Sequence, residues 1–309
     1  MDPGARRYHF HRHAGRRHRR HAEGKAGLAE AGRRRRKPDR PARHASRHPV
    51  VTTPVDRWPD AALLLVGHGS SRIATSRQVT DRLAEALGRR GLFAEVAACF
   101  WKEAPFLSLD LVASPTVFIV PNFAGEGIFT RELIPERLGL TGTHSHRDGR
   151  HLIYTRPVGC HPRLPDLLRR RAVGLCHHDG LAPEKTSLLI VGHGSRRPGT
   201  VSETPEIVAA ALRATATFAD VATAYLEQDP AASLWRDLVS APDILVAPWL
   251  ISEGMHASAD LPGLFGLSTP TGGPVALDGR RVWLMGGIGR EAEVVDMILD
   301  HVRAAQAII

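Results

Sequence analysis

The chain has 309 residues, of which 43% are hydrophobic and 24% charged, values typical of a globular protein with room for two domains. No apolar run approaches the ~20 residues that cross a bilayer. The three cysteines are widely separated and form no C-x-x-C pair. We therefore expect a cytoplasmic protein with no membrane partner, no disulfide framework and no cysteine-bound iron–sulfur cluster.

The positive net charge of +9 is concentrated at the N-terminus. Residues 1–50 hold 14 Arg and 2 Lys against 4 acidic residues, so the rest of the chain carries a small net negative charge. Residues 1–57 show almost no aliphatic periodicity, which predicts a disordered Arg/His-rich arm. Its HFHRH and RRRRK runs are compatible with metal chelation or nucleic-acid contact, but a solvated arm explains both, and no nucleic-acid partner is expected. An open alternative is that translation starts near Val50 or Val55.

The pentapeptide VGHGS occurs twice, at 66–70 and 191–195. Three further segment pairs follow in the same order at offsets of 125, 127 and 130 residues: FAEVAACF with FADVATAY, VPNFAGEG with APWLISEG, and DGRHLIYTRPVG with DGRRVWLMGGIG. Ordered matches of this kind indicate a tandem duplication of a unit of about 120 residues.

Each repeat alternates continuous apolar runs with helical patterns, which predicts parallel strands covered by helices on both faces. We expect two tandem α/β domains, each a doubly wound four-stranded parallel sheet. The predicted N-terminal domain is 58–177 and the C-terminal domain 187–309, with a linker at 178–186. A fused pair of this kind is expected to be a monomeric pseudo-dimer.

Three side chains in the second repeat follow three successive predicted strands: His193, Glu227 and His256. Ligands of parallel α/β sheets bind beyond the carboxyl ends of the strands, so these groups are expected to meet at one edge. Two imidazoles and a carboxylate form a mixed site for a divalent transition metal, and imidazole also accepts protons near neutral pH.

The first repeat keeps only part of this set. His68 matches His193, but the offsets place Lys102 at the position of Glu227 and Phe129 at that of His256. The first site is therefore predicted to be degenerate. Secondary candidates are His68, Glu126 and Glu253, although a carboxylate near a helix start is also explained as a dipole partner.

Both VGHGS turns are predicted to lead directly into a helix, whose N-terminus favours anions. Residues beside the turns are the candidate substrate-binding groups: Ser70, Arg72, Ser195, Arg196 and Arg197. Two other histidines, His144 and His146, are predicted to lie on an exposed loop.

The VGHGS turn together with AYLEQDP and GMHASADLP resembles the sirohydrochlorin cobaltochelatase and ferrochelatase family, the class II chelatases of cobalamin and sirohaem synthesis. The resemblance covers roughly residues 60–308 and points to the fused two-unit form. It implies a lyase-class enzyme with a tetrapyrrole substrate, with Co²⁺ or Fe²⁺ as second substrate and with no permanently bound cofactor. It assigns metal binding and pyrrole-proton acceptance to His193, His256 and Glu227.

The main alternative is a non-catalytic cobalt, nickel or iron chaperone or sensor, which would bind metal without turning over a tetrapyrrole. A serine hydrolase is disfavoured because the chain has no G-x-S-x-G elbow. A dinucleotide-binding oxidoreductase is disfavoured because neither turn reads G-x-G-x-x-G.

Overall fold

A computed structural model describes residues 57–195, 203–251 and 260–307. Residues Pro54–Ile309 belong to one compact unit. Within the described ranges the chain forms two five-stranded sheets, one from each repeat. The predicted N-terminal arm lies outside the described residues, apart from Arg57.

The first repeat forms a sheet in the order β2-β1-β3-β5-β4. Its elements are β1 (Trp58–Gly67), α1 (Gln78–Arg89), β2 (Phe93–Phe100), β3 (Thr116–Pro121), α2 (Ile134–Leu138), β4 (His144–Arg147), β5 (Arg150–Tyr154) and α3 (Leu164–His178).

The second repeat forms a sheet of the same topology, in the order β7-β6-β8-β10-β9. Its elements are β6 (Thr186–Gly192), α4 (Thr204–Arg213), β7 (Asp220–Tyr225), α5 (Trp235–Leu238), β8 (Asp243–Pro248), α6 (Leu261–Leu264), β9 (Gly272–Leu277), β10 (Arg280–Leu284) and α7 (Glu293–Gln306). Between the repeats, the predicted linker contains a 3-10 turn at Pro183–Lys185.

The predicted α/β class with parallel sheets is confirmed, but each sheet has one more strand than predicted. The extra strands, β4 and β9, pair antiparallel with β5 and β10 at the sheet edge. The predicted exposed loop at His144 and His146 is wrong, because both residues lie in β4. The sequence HSHR has no apolar alternation, so only its pairing with β5 identifies it as a strand.

The apolar strand runs are continuous because each sheet is covered on both faces. In β1, Leu63 and Leu65 contribute to a central core between the two sheets, whereas Leu64 and Val66 belong to a separate outer core. In α1, Val79, Leu83 and Leu87 are buried in that central core. Their spacing of four residues places all three on one helix face.

The last helix of each repeat packs against the other repeat. Helix α7 lies on β3 and β5 of the first sheet, where the His144 Nε2–H donates to the Ala305 carbonyl at 3.1 Å. Helix α3 lies against α4 and beside the end of β10, where Arg171 Nη2 donates to the Gly286 carbonyl at 2.9 Å. The two repeats are therefore interlocked by exchanged helices and share the central core.

All three cysteines, Cys99, Cys160 and Cys176, are free, as predicted. Among the described residues, no helix has both the length and the apolarity needed to span a membrane.

Candidate active site

The second VGHGS turn lies at the carboxyl end of β6. The strand ends at Gly192, and His193 is the next residue. Gly194 has φ of +78°, and a Cβ added there would lie 2.6 Å from Cβ of Gln228. Glycine is therefore required after His193, both for the backbone conformation and for the close approach of the neighbouring loop.

His193 and Glu227 are brought together by backbone pairing that continues past the strands. Gly192 pairs with Tyr225 in the β6–β7 register, and the Glu227 N–H donates to the His193 carbonyl at 2.8 Å. The side chains consequently lie on the same edge, with His193 Nδ1 3.9 Å from Glu227 Oε2. Two of the three predicted ligands are thus neighbours.

The orientation of the His193 ring follows from a local hydrogen bond. Its Nδ1 lies 3.1 Å from the Gly194 carbonyl oxygen, and a carbonyl only accepts, so the proton of the neutral ring is on Nδ1. The Nε2 lone pair is then the group suited to a metal ion or a proton. The side chain is 44% exposed, so solutes reach it from solvent.

The first repeat reproduces this backbone with different side chains. The Lys102 N–H donates to the His68 carbonyl at 3.0 Å, just as Glu227 bonds His193. This bond shows that Lys102 occupies the position of Glu227, as the sequence offsets predict. A cation therefore replaces the carboxylate beside His68, which disfavours a second metal ion there.

His68 lies in an aromatic environment. Its ring contacts Phe129 edge to face at 4.9 Å between centroids, and Phe123 at 6.3 Å. Burial lowers the pKa of His68, and the positive charges of Lys102 and His193 lower it further. Because the pKa is lowered from an ordinary value of 6.5, His68 is neutral near pH 7. The strand ends of the two repeats meet close by, where the indole N–H of Trp249 donates to the Ala124 carbonyl at 2.7 Å.

The first turn does not lead directly into a helix, contrary to prediction. A 3-10 turn at Ala74–Arg77 separates it from α1, which begins at Gln78. The Ser70 hydroxyl accepts hydrogen bonds from the N–H groups of Arg72 and Ile73, both at 3.2 Å. Ser70 therefore shapes the loop, and the Arg72 side chain is exposed.

Glu103 is a loop residue whose structural role the sequence reasoning missed. Its Oε1 accepts from the Ser70 N–H at 2.8 Å and from the Ser76 hydroxyl at 3.1 Å. Both bonds hold the first VGHGS loop against the end of β2. The available signal was an acidic residue immediately after Lys102 at a strand end.

Glu126, a secondary ligand candidate, is paired with two arginines. Its carboxylate lies 2.7 Å from Arg131 and 3.4 Å from Arg156. The hydrogen bond from Arg131 is the main reason that the pKa of Glu126 is lowered. These residues line a cavity of about 130 Å³ between the repeats, which also includes Cys160 and Thr204.

Four predicted site residues lie outside the described ranges: Arg196, Arg197, Glu253 and His256. Ser195 is described and is partly exposed. Within the described ranges no three His, Cys, Asp or Glu side chains are grouped so that they could hold a metal ion. The His193–Glu227 pair is therefore the part of the predicted metal site that the structure describes.

Two interlocked α/β repeats, with a histidine and a carboxylate at the ends of adjacent parallel strands, define a chelatase-like protein. The CbiX family model matches the chain twice, at residues 62–174 and 187–305. The chain belongs to the CbiX family.

Individual relatives agree with this assignment. A protein of Halobacterium salinarum named "Probable sirohydrochlorin cobaltochelatase" is 30% identical over 80% of this chain and 91% of its own length. A multi-domain Deinococcus radiodurans protein with structural similarity to chelatases superimposes with a TM-score of 0.63 at 28% identity, over 78% of this chain and 54% of that chain, so this chain spans about half of it.

A third comparison concerns the fold alone. The structure of CbiX described as the terminal enzyme for biosynthesis of siroheme in denitrifying bacteria has a TM-score of 0.59 and 23% identity, over 80% of this chain and 99% of that chain. The two-repeat architecture is thus shared over nearly the whole length of that protein.

Proposed function

We propose that the protein is a metallochelatase that inserts Co²⁺ or Fe²⁺ into sirohydrochlorin. The observation that carries this proposal is the pairing of His193 with Glu227 at the ends of β6 and β7, 3.9 Å apart. An imidazole and a carboxylate at one open edge suit a divalent transition metal that must be bound and then released. The Halobacterium salinarum relative bears the name of this activity.

The proposed metal ligands are His193, Glu227 and His256, the last of which lies outside the described residues. The repeat at 187–309 carries the complete site, and the repeat at 58–177 the degenerate one. The metal ion is a substrate, and no resident cofactor is proposed. His193 offers Nε2 to the ion because its Nδ1 proton is engaged with the Gly194 carbonyl.

Metal insertion forms four metal–nitrogen bonds, breaks two pyrrole N–H bonds and releases two protons, while the ion leaves its protein ligands. Glu227 and a histidine accept these protons and pass them to water once the metal has entered the macrocycle. His193, 44% exposed, is open to solvent for that exchange. General-base assistance of this type contributes roughly 10²–10⁴-fold in rate.

The peripheral carboxylates of sirohydrochlorin require cations around the cleft. Arg72, Arg131 and Arg156 are exposed guanidinium groups of the first repeat, and the last two already bind the Glu126 carboxylate. Arg196 and Arg197, proposed substrate contacts of the second repeat, lie outside the described residues. This arrangement supports a polyanionic substrate held between the repeats.

The test is the absorbance change of sirohydrochlorin on metallation by Co²⁺, and by Fe²⁺ without oxygen. His193→Ala, His256→Ala and Glu227→Gln should each lower the rate by roughly 10²-fold or more. His178→Ala is the matched control, because this histidine is 82% exposed and lies at the end of α3.

Two outcomes would overturn the proposal. A wild-type rate equal to the spontaneous rate, with metal still bound, would favour the chaperone or sensor. Loss of activity in His68→Ala with full activity in His193→Ala would place the site in the first repeat.

A further inference from the structure

Three aromatic rings cluster at the carboxyl edge of the first sheet, two of them, Phe123 and Phe129, in contact with His68, and the third, Trp101, in contact with Phe129. Trp101 contacts Phe129 at 5.7 Å between ring centroids with an interplanar angle of 77°. Phe123 stacks on Phe129 at 5.9 Å and 24°. The rings therefore form one continuous cluster, which we call the aromatic wall.

The aromatic wall is specific to the first repeat. The sequence offsets relate Trp101 to Leu226, Phe123 to Leu250 and Phe129 to His256. The backbone N–H of Trp101 donates to the Gly67 carbonyl at 3.1 Å, and the backbone N–H of Leu226 donates to the Gly192 carbonyl at the same distance. The backbone of the two repeats thus matches at this point, while the first repeat carries large rings where the second carries smaller apolar residues and a predicted ligand.

The rings are neither core residues nor fully exposed. Each is partly buried and packs on the outer core of the first sheet. They leave part of their surface at the sheet edge, next to Ala124, whose carbonyl accepts from the indole N–H of Trp249 in the second repeat at 2.7 Å. The backbone N–H of Trp249 in turn donates to the Val191 carbonyl at 2.8 Å, two residues before His193. The wall therefore lies where the first repeat meets the strand ends that carry the His193–Glu227 pair.

We infer that the aromatic wall binds one flat face of the tetrapyrrole while the second repeat presents the metal to the other. This inference rests on the proposed function. A macrocycle is planar and apolar over its faces, so aromatic contact holds it and excludes water from that side. Because the first repeat lacks the full ligand set, its apolar wall binds the macrocycle without competing with the second repeat for the metal ion.

The role proposed for the wall is binding, not chemistry. Its removal is expected to weaken sirohydrochlorin binding and raise KM, while kcat at saturating substrate changes little. Metal binding in the absence of tetrapyrrole should not change, because none of the three rings offers a metal ligand.

The experiment titrates the full-length protein with sirohydrochlorin in the absence of metal, following absorbance. Phe129→Leu and Trp101→Leu remove a ring but keep apolar bulk, and thermal midpoints verify that each variant folds. Each should raise Kd about tenfold, the size expected for one aromatic contact. Leu111→Ala is the control, since this apolar residue is 37% exposed and precedes β3 at the opposite edge of the sheet.

The outcomes separate this inference from the proposed function. Wild-type binding of sirohydrochlorin without metal insertion, weakened in both ring variants, supports the wall and contradicts the chelatase. Metal insertion by wild type with unchanged Kd in both ring variants overturns the wall alone. The inference is also overturned if the ring variants lose as much affinity for Co²⁺ as they lose for sirohydrochlorin, because the wall would then support the metal site.

Discussion

His161 and His301 meet edge to face, with ring centroids 5.0 Å apart, where the second repeat has an ion pair instead. The 130-residue offset relates His161 to Glu291 and Arg171 to His301, and Arg171 Nε lies 2.9 Å from Glu291 Oε1. The same contact between a strand-end loop and an exchanged helix is thus made by two histidines in one repeat and by opposite charges in the other.

The first prediction concerns the pH dependence of stability at His301. Burial lowers the pKa of His301 from 6.5 to about 4, and repulsion from His161 adds to the shift. Below pH 6.5 the unfolded chain gains a proton that the folded protein does not take up until about pH 4. The contribution of His301 to the free energy of unfolding is therefore fully present above pH 6.5. It decreases as the pH drops toward 4, by at most about 3 kcal/mol.

Chemical denaturation of wild type and His301→Gln between pH 7.5 and 4.5 measures this effect. The variant should be less stable at pH 7.5 but lose less stability on acidification. His178→Ala, which removes an exposed histidine, should follow the wild-type curve. Parallel curves for wild type and His301→Gln would show that His301 does not titrate as described.

The second prediction concerns the ion pair of Arg171 and Glu291. Arg171 is only 19% exposed in its side chain, and burial lowers its pKa. Glu291→Gln leaves a largely buried guanidinium without its counter-charge and should reduce the free energy of unfolding by about 2 kcal/mol. Urea denaturation at pH 7.5 measures the loss.

The matched control is Glu293→Gln, which breaks the more exposed pair of Glu293 with Arg170 at 2.6 Å. Solvent screens that pair, so its loss should be clearly smaller. If the two variants lost the same free energy of unfolding, burial of Arg171 would not strengthen its ion pair with Glu291.

The third prediction compares two glycines. A Cβ at Gly159 would lie 2.1 Å from the Ala124 backbone carbonyl, whereas nothing lies within 4 Å of a Cβ at Gly174. Gly159→Ala should destabilise the protein by about 1–3 kcal/mol. Gly174→Ala, at an exposed position of α3, should stabilise it by about 0.5–1 kcal/mol. Thermal unfolding measures the direction of both stability changes. An unchanged stability of Gly159→Ala would contradict the close approach of Gly159 to Ala124.

The fourth prediction separates two glutamates at the strand ends. Glu126 is engaged by Arg131 and Arg156, so Glu126→Gln should leave Co²⁺ affinity within about twofold. Glu227→Gln removes a proposed ligand and should weaken Co²⁺ binding about tenfold or more. Calorimetric titration of the full-length protein with Co²⁺ tests both. A larger effect from Glu126→Gln than from Glu227→Gln would move the metal ligand to the first repeat.

Most of the fold was predictable because its signals are local. The apolar runs that became β1, β3, β6 and β8 are long and uninterrupted, and both faces of each sheet are covered as such runs require. Strand β4 was not predictable, since the polar run of His144–Arg147 is defined only by its pairing with β5.

The site was predictable in part. The offsets correctly placed Lys102 at the position of Glu227. The two residues make the same backbone hydrogen bond, to His68 and His193 respectively, although their side chains differ. The pairing of Glu126 with two arginines was not predictable, since Arg131 and Arg156 come from separate segments. The same holds for Glu103, whose partners Ser70 and Ser76 lie about 30 residues earlier in the chain.

The sequence by itself determined the duplication, the parallel α/β repeats and the histidines at the strand ends, because periodicity and repeated spacing act over short stretches of chain. Only the tertiary structure decided that α3 and α7 are exchanged, that His68 is neutral within an aromatic wall, and that the two repeats share one core. Those properties depend on contacts such as that of His144 with Ala305, 161 residues apart, and no local pattern encodes which distant surfaces meet.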